Sequence, residues 1–313
     1  MKDPGTPFRI GVDGGASKTA CVLVDAGGAV VAEHEAPGCN PSHEGPERAR
    51  QILVGALETL LATAGSPRRK VASTLLCMAG NQAYWHETAA SLEAEFGAVT
   101  IAPDSLAVLE LATGGTSGLA VHAGTGSFVT ARAPDGTFHY SGGLGWRFGD
   151  AASGYDLGRR GIARALLELQ GSAGAPRPGG LAAALRDYTG LGTYVEVSRL
   201  LYSADDAGQK IAAFAPRVID LAGQGCHAAR QVIIEGVNEL AGLVDSMIEK
   251  HFWRAMADAP VVCGVSGAIL NRPPCHEALR AVAAARAWPV RLEPITASPI
   301  EGVRRLLVRQ HPL

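Results

Sequence analysis

Residues Phe8 to Asp13 (FRIGVD) form a short apolar run that ends on Gly14-Gly15. Two more follow, Cys21–Asp25 and Ala29–His34, separated by Ala26-Gly27-Gly28. Short apolar runs bounded by Gly and Asp predict strands joined by tight antiparallel turns. The period then changes. From Glu44 to Ala64, Ile52, Leu53, Leu57, Leu60 and Leu61 recur at the spacing of one helical face. A strand at Val71–Met78, a helix near Trp85–Phe96 and a strand at Ala98–Ala102 complete a mixed α/β layer.

After Gly114-Gly115 the opening pattern returns. Gly118–Ala123 reads as a strand entering Gly124-Thr125-Gly126-Ser127, Phe128–Ala133 as the next, Pro134-Asp135-Gly136 as a turn and Thr137–Ser141 as a third strand. Both copies place a glycine loop between the first and second strands, which predicts a duplicated unit with a cleft between the halves. The remainder is mostly helical. Helices are expected over Ser153–Gln170, Gln209–Ala222 and His227–His251, with a loop at Pro176–Gly180. The last of these helices lines up Ile234, Val237, Leu240, Ala241, Val244, Met247 and Ile248. A buried strand at Val261–Cys263 runs into Gly264-Val265-Ser266-Gly267-Ala268. A strand at Arg291–Pro294 and a helix at Pro299–Val308 close the chain.

Composition narrows the class. The 313 residues carry 28 Lys+Arg against 30 Asp+Glu, so no basic excess points to nucleic acid or an anionic membrane. Aromatic content of 5% argues against a stacking platform for single strands. Pro260–Leu270 is too short to span a bilayer, and Met1–Pro7 lacks the apolar core of a signal peptide. The six cysteines are scattered without a C-x-x-C pair, so they read as thiols in a reducing cytosol and not as a zinc or disulfide framework.

The candidate chemistry sits in the glycine loops. In Asp13-Gly14-Gly15-Ala16-Ser17-Lys18-Thr19, glycines at a strand end let backbone N–H groups approach an anion; Asp13 could hold Mg²⁺, and Ser17 or Lys18 touch a phosphate. The segment lacks the G-x-x-x-x-G-K-[ST] spacing of a P-loop, and D-G-G alone is more often a plain turn. Gly124-Thr125-Gly126-Ser127 reads either as a tight hairpin or as a second phosphate loop, with two hydroxyls suited to phosphate oxygens. Asp104, after a strand and before an apolar helical run, reads locally as a helix N-cap, and alternatively as a general base. Asp150 has the same two readings. Gly142-Gly143-Leu144-Gly145-Trp146 implies close backbone approach to a ligand. Asn40 is a turn residue or a hook for a sugar hydroxyl. His122, His139 and His227 show no ligand spacing and read as structural or surface residues.

The order D-G-G-x-[ST]-K-T, a lone Asp after a strand, A-G-T-G-S, then G-G-x-G-W-x-x-G-D-x-x-S-G-Y resembles the BadF/BadG/BcrA/BcrD ATPase-type family over about Phe8 to Leu307. Within it the chain is most similar to the N-acetylglucosamine and glucosamine kinases of the actin-like ATPase superfamily. The resemblance implies a two-domain actin-like ATPase fold, α/β, built from duplicated ribonuclease H-like units with an interdomain cleft. The first domain would be 1–115, completed by the C-terminal helix 296–313, and the second 116–295. It implies ATP and Mg²⁺ as cofactors and an amino sugar phosphorylated at its 6-hydroxyl, in a cytoplasmic enzyme that is a homodimer.

The residue roles implied are these. Asp13, Gly14, Gly15, Ser17 and Lys18 would form the first phosphate loop, with Asp13 near Mg²⁺. Gly124, Thr125 and Gly126 would form the second, with Ser127 near the sugar. Asp104 would be the catalytic base and also touch the substrate. Asn40, Gly143, Gly145 and Asp150 would hold the hexosamine, and Gly264, Ser266 and Gly267 the adenosine. Ser298-Pro299-Ile300-Glu301-Gly302 resembles the motif before the last helix. The chain departs from the family pattern at Ala16, Ser17, Ala151, Val265 and Arg147. Two other roles are open on this fold: an ATPase activating a radical dehydratase, whose cluster cysteines are missing because none occurs between Cys77 and Cys226, and a silent nucleotide- or sugar-binding protein.

Overall fold

β1 (Phe8–Gly14) is buried along all but its first residue and lies at the centre of a five-stranded sheet of order β3-β2-β1-β4-β5. β2 (Lys18–Val24) pairs with it antiparallel, and β3 (Val30–Pro37) pairs antiparallel with β2. The periodic run read as one helix from Glu44 is two, α1 (Pro41–Glu44) and α2 (Pro46–Thr63). Gly45 at φ +79° ends the first, and Pro46 is placed to start the second. β4 (Val71–Met78) lies parallel to β1, α3 (Gln82–Phe96) follows, and β5 (Ala98–Pro103) lies parallel to β4 before α4 (Asp104–Thr113).

The central strands are apolar on both faces because both faces are covered. Ile10, Val12, Cys21, Leu23, Leu76 and Met78 pack against α2 and α3 on one side. Val22, Val24, Leu75 and Cys77 pack on the other side with Ala107 of α4 and with Val303, Leu306 and Leu307 of the C-terminal helix. That helix comes close because of Gly11, where a methyl group would lie 2.8 Å from Val303 Cγ1.

The second sheet, β10-β9-β6-β7-β8, repeats the plan of the first. β6 (Gly118–Ala123), β7 (Ser127–Arg132) and β8 (Phe138–Gly142) are joined antiparallel. Then come α5 (Gly154–Gly171), α6 (Leu181–Thr189), α7 (Tyr194–Ser203), α8 (Ala207–Ala212), α9 (Ala215–Gly223) and α10 (His227–His251). β9 (Val261–Ser266) is parallel to β6, α11 (Pro273–Ala285) follows, and β10 (Val290–Pro294) is parallel to β9. The C-terminal helix is α12 (Pro299–Gln310).

The structure is a computed structural model that describes residues 7–65, 71–171, 178–252 and 260–310. The chain divides into two compact units, Met1–Gly115 with Ala297–Leu313, and Thr116–Thr296. Three helices, α6, α7 and α11, lie where the sequence reading placed none. α7 buries only Val197, so its apolar period is faint, and the two prolines opening α11 look like breakers although Pro suits a helix start. The helix expected over Gln209–Ala222 is interrupted at Phe214, with Pro216 in the first turn of α9. On α10 the buried stripe runs from Ala229 through Val232 and Ile233, and Ile234 is exposed. Residues 176 and 177 of the expected loop and residues 311–313 of the expected C-terminal segment 296–313 lie outside the described residues. Among the described residues no helix is long and apolar enough to cross a membrane.

Candidate functional site

In the first unit two carboxylates meet at one edge of the sheet. β1, β4 and β5 are parallel, so their C-terminal ends share an edge, and the register places Asp13 opposite Cys77, which is opposite Ala102. Asp104 follows two residues later as the first residue of α4. The helix N-cap is Pro103, so Asp104 is displaced by one from the capping position expected of it; its Oδ1 accepts the Ser105 N–H at 2.9 Å. Burial pushes Asp104 up to about 6. Burial and then the charge of Asp104 push Asp13 up to about 7, opposed by Lys18. The neighbouring Ser105 Oγ is fully buried without a partner.

The β1–β2 loop, Gly15-Ala16-Ser17, is held from several sides. The Gly15 N–H donates to Lys18 O at 2.9 Å, the Cys39 N–H to Gly15 O at 3.1 Å and the Ala79 N–H to Gly14 O at 2.8 Å. A methyl on Gly14 would lie 2.5 Å from Met78 Cε, and one on Gly38 would lie 2.0 Å from Ala16 O. These glycines therefore permit three loops to pack, and the Gly15 N–H that the sequence reading assigned to an anion is spent within the turn. Lys18, expected at a phosphate, has its Nζ on Glu35 at 2.8 Å. Asn40 belongs to the same packed group: its Oδ1 accepts the Ser42 N–H at 3.0 Å, capping α1, which leaves its NH₂ to donate.

In the second unit Gly124-Thr125-Gly126 links β6 to β7 at the corresponding place. Its support comes from later in the chain. The Gly154 N–H donates to Gly124 O at 2.9 Å, and the Gly143 N–H to Ser127 O at 2.9 Å. Asp150 accepts backbone N–H groups of Ser127 and Gly145, while burial still raises its carboxyl above the ordinary value. Asp150 and Ala152 sit at φ 59° and 60°, a left-handed conformation that costs about 1 kcal/mol or more outside glycine. Two polar atoms of this cluster, Ser127 Oγ and Asp150 Oδ1, are buried without a partner. Each costs roughly 1–3 kcal/mol when left so, which marks the cluster as a place for a ligand's hydrogen bonds. Ser127, Gly143, Gly145 and Asp150 are thus brought together.

The expected adenosine turn is shorter than its motif. Gly264 and Val265 lie inside β9: Gly264 is paired with Ala120 and Glu293, and Val265 is in the core. The turn starts only at Gly267, φ +100°, where a methyl would lie 2.2 Å from Ala123 O. Gly264 is therefore a sheet residue. Ser266 Oγ meets His122 Nδ1 at 3.2 Å, and the His122 ring stacks on Phe128 at 4.8 Å. The Ser298–Gly302 motif opens α12, where a methyl on Gly302 would lie 2.1 Å from Ala107 O of α4.

Sequence reading missed two features. Glu110 on α4 is fully buried and paired bidentately with Arg309 of α12, which also donates to Gly114 O at 2.6 Å. Their separation along the chain leaves no local signal. It also took Trp146 only as a member of a glycine-rich stretch, whereas Trp146 packs with Tyr155 beside an open cavity.

The profile of the BadF/BadG/BcrA/BcrD ATPase family matches residues 10–286. The N-acetyl-D-glucosamine kinase of Dictyostelium discoideum is 26% identical over 255 residues, covering 77% of this chain and 79% of its own. The N-acetylmuramic acid/N-acetylglucosamine kinase of Clostridium acetobutylicum is 23% identical over 269 residues, covering 84% and 86%. The crystal structure of a candidate N-acetylglucosamine kinase from Chromobacterium violaceum superposes with a TM-score of 0.75 at 23% identity, covering 97% of this chain and 100% of that one. With its two matching five-stranded sheets, the chain has the two-domain actin-like ATPase fold.

Proposed function

The chain belongs to the BadF/BadG/BcrA/BcrD ATPase family, and we propose that within it the protein is an ATP-dependent kinase that phosphorylates the 6-hydroxyl of an amino sugar. We also propose that it works in the cytoplasm as a homodimer, as the sequence resemblance implies. The observation that carries the reading is Asp104, a partly buried carboxylate at the start of α4, pushed up to about 6 by desolvation and facing Asp13. A general base is most effective when its pKa lies close to the working pH, so that it is ionised yet still basic.

Asp104 accepts the proton of the sugar 6-hydroxyl as that oxygen bonds to the γ-phosphorus of ATP and ADP leaves. Asn40, Ser127 and Asp150 orient the sugar: the Asn40 NH₂ donates, and the orphaned Ser127 Oγ and Asp150 Oδ1 supply a hydroxyl and an acceptor. Ser17, Thr125 and those N–H groups of the two glycine loops that are not spent within the turns, as those of Gly15 and Gly124 are, receive the phosphates. Gly14 keeps its loop packed on Met78, while Ser266 ends β9 and Gly267 opens the turn that meets the adenosine.

Asp13 suits Mg²⁺: it is an oxygen donor, and burial and a second acid raise its carboxyl more than Lys18 offsets, so added positive charge there is favourable. When bound, Mg²⁺ neutralises charge on the phosphates as the phosphoryl group moves.

The test is ADP release from ATP and Mg²⁺ with a panel of amino sugars, followed by locating the phosphate on the product. Turnover with a sugar phosphorylated at O6 supports the proposal. ATP binding without turnover on any of the sugars contradicts it.

A further inference from the structure

Next to Asp150 the second unit holds a cavity of about 670 Å³, lined by the turn 146–149 and by side chains of α5 and α10. Sites of roughly 300–1,000 Å³ bury a drug-sized molecule, so this space suits something larger than one sugar ring. Its charges balance. Arg147 and Arg159 stand against Asp156 and Glu239. Both acids are tied in place: Asp156 on α5 accepts Arg159 at 3.1 Å and Arg160 at 2.8 Å, and Glu239 of α10 pairs with Arg160. A wall of paired charges offers an ionic ligand no net attraction, yet it presents N–H groups and carboxylate oxygens to uncharged hydroxyls.

The rest of the lining is aromatic. The Trp146 and Tyr155 rings pack at 5.0 Å and 55°, and the Arg147 guanidinium lies over the indole at 5.0 Å, so these two rings have partners within the chain. Phe148 differs: it is 83% exposed, a flat apolar surface at the cavity wall. Its place is fixed all the same. The Phe148 N–H donates to Gly145 O at 3.1 Å, and Asp150 accepts the Gly145 N–H, so the turn carrying Phe148 is pinned to a residue proposed to hold the sugar. A pyranose ring matches both walls, because its C–H face stacks on an aromatic ring while its rim hydroxyls donate and accept.

We propose that this cavity is a second sugar subsite, which takes a neutral pyranose glycosidically linked to the amino sugar and stacked on Phe148. The inference rests on the kinase reading, in which Gly143, Gly145 and Asp150 hold the ring that is phosphorylated. The protein then accepts short neutral amino-sugar oligosaccharides as well as the single sugar. A substituent too small to reach Phe148 gains nothing from the cavity, so the preference belongs to the second ring and not to the glycosidic bond.

Calorimetric titration of the intact protein tests this with three probes: N-acetylglucosamine, its methyl β-glycoside, and the β-1,4-linked disaccharide N,N′-diacetylchitobiose. Wild type is expected to bind the disaccharide about tenfold more tightly than either single-ring probe, a difference set by one stacked ring. Phe148→Ser, at an exposed turn position, is expected to bring the disaccharide to the affinity of N-acetylglucosamine without changing the latter, and Phe148→Tyr to keep the preference. Equal affinities in wild type, a preference that survives Phe148→Ser, or a methyl glycoside that binds as tightly as the disaccharide would each overturn the inference. If N-acetylglucosamine binds and the disaccharide does not, this inference alone falls. If none of the three binds, the kinase reading falls with it.

Discussion

The two sheets share strand order, hairpin-first plan and a three-residue glycine loop, yet their strand ends differ in chemistry. The penultimate residue of the first strand is Asp13 in β1 and His122 in β6. The residue directly after the fifth strand is Asp104 in one unit and Ile295 in the other. Asp13 and Asp104 are carboxylates pushed up to about 7 and 6. Burial pushes His122 down to about 4, so it is neutral at pH 7, and Ile295 is buried with its N–H on Val265 O at 2.7 Å. The two units thus share one backbone plan and differ at these two positions, carboxylates in the first and a neutral ring and an apolar side chain in the second. The second copy offers glycine backbone and unpartnered hydrogen-bonding atoms instead.

The largest difference in stability is expected from the ion pairs of the two units. Arg309→Leu strands the fully buried Glu110 and should cost about 3 kcal/mol, given that Arg309 itself is half exposed. Arg164→Leu breaks a pair with Glu235 in which both partners are partly exposed, worth about 0.2–1 kcal/mol. Urea or thermal melts of the two variants compare them directly, and equal losses would erase this contrast.

Stability should also depend on pH with opposite sign in the two units. The folded pKa of Asp13 is raised, so between its ordinary value of 3.8 and about 7 the folded state binds more protons than the unfolded one, and stability falls as pH rises through that window. In metal-free buffer, Asp13→Asn is expected to remove this slope, melting close to wild type at low pH and above it at pH 8. His122 is depressed, from 6.5 to about 4, so the unfolded state binds more protons there and stability falls as pH falls. His122→Gln should flatten that acid side. The smallest of these effects is an acid limb in kcat/KM near pH 6, where Asp104 gains its proton; a profile flat from pH 5 to 8 would speak against Asp104 as base.

Much of the scaffold was legible because the signals were local. The paired strand–glycine–strand units and the apolar face of α2 could be read directly, and Asp104 was marked by its place between a strand and an apolar run. What could not be read was set by tertiary packing. Gly14 and Gly38 are small because of Met78 and Ala16, far off in the chain or on another loop. Gly264 looks like a turn residue but is held in the sheet by partners on both sides. The Glu110–Arg309 pair and the Arg147 cavity join segments with no shared period.

The central claim, that the catalytic base lies in the first unit at Asp104, is tested most directly by measuring turnover and sugar binding side by side in Asp104→Asn and His122→Asn. The account predicts that Asp104→Asn loses about 10²–10⁴-fold in kcat while still binding sugar, and that His122→Asn stays close to wild type. Turnover that survives in Asp104→Asn, or that is lost instead in His122→Asn, would contradict it.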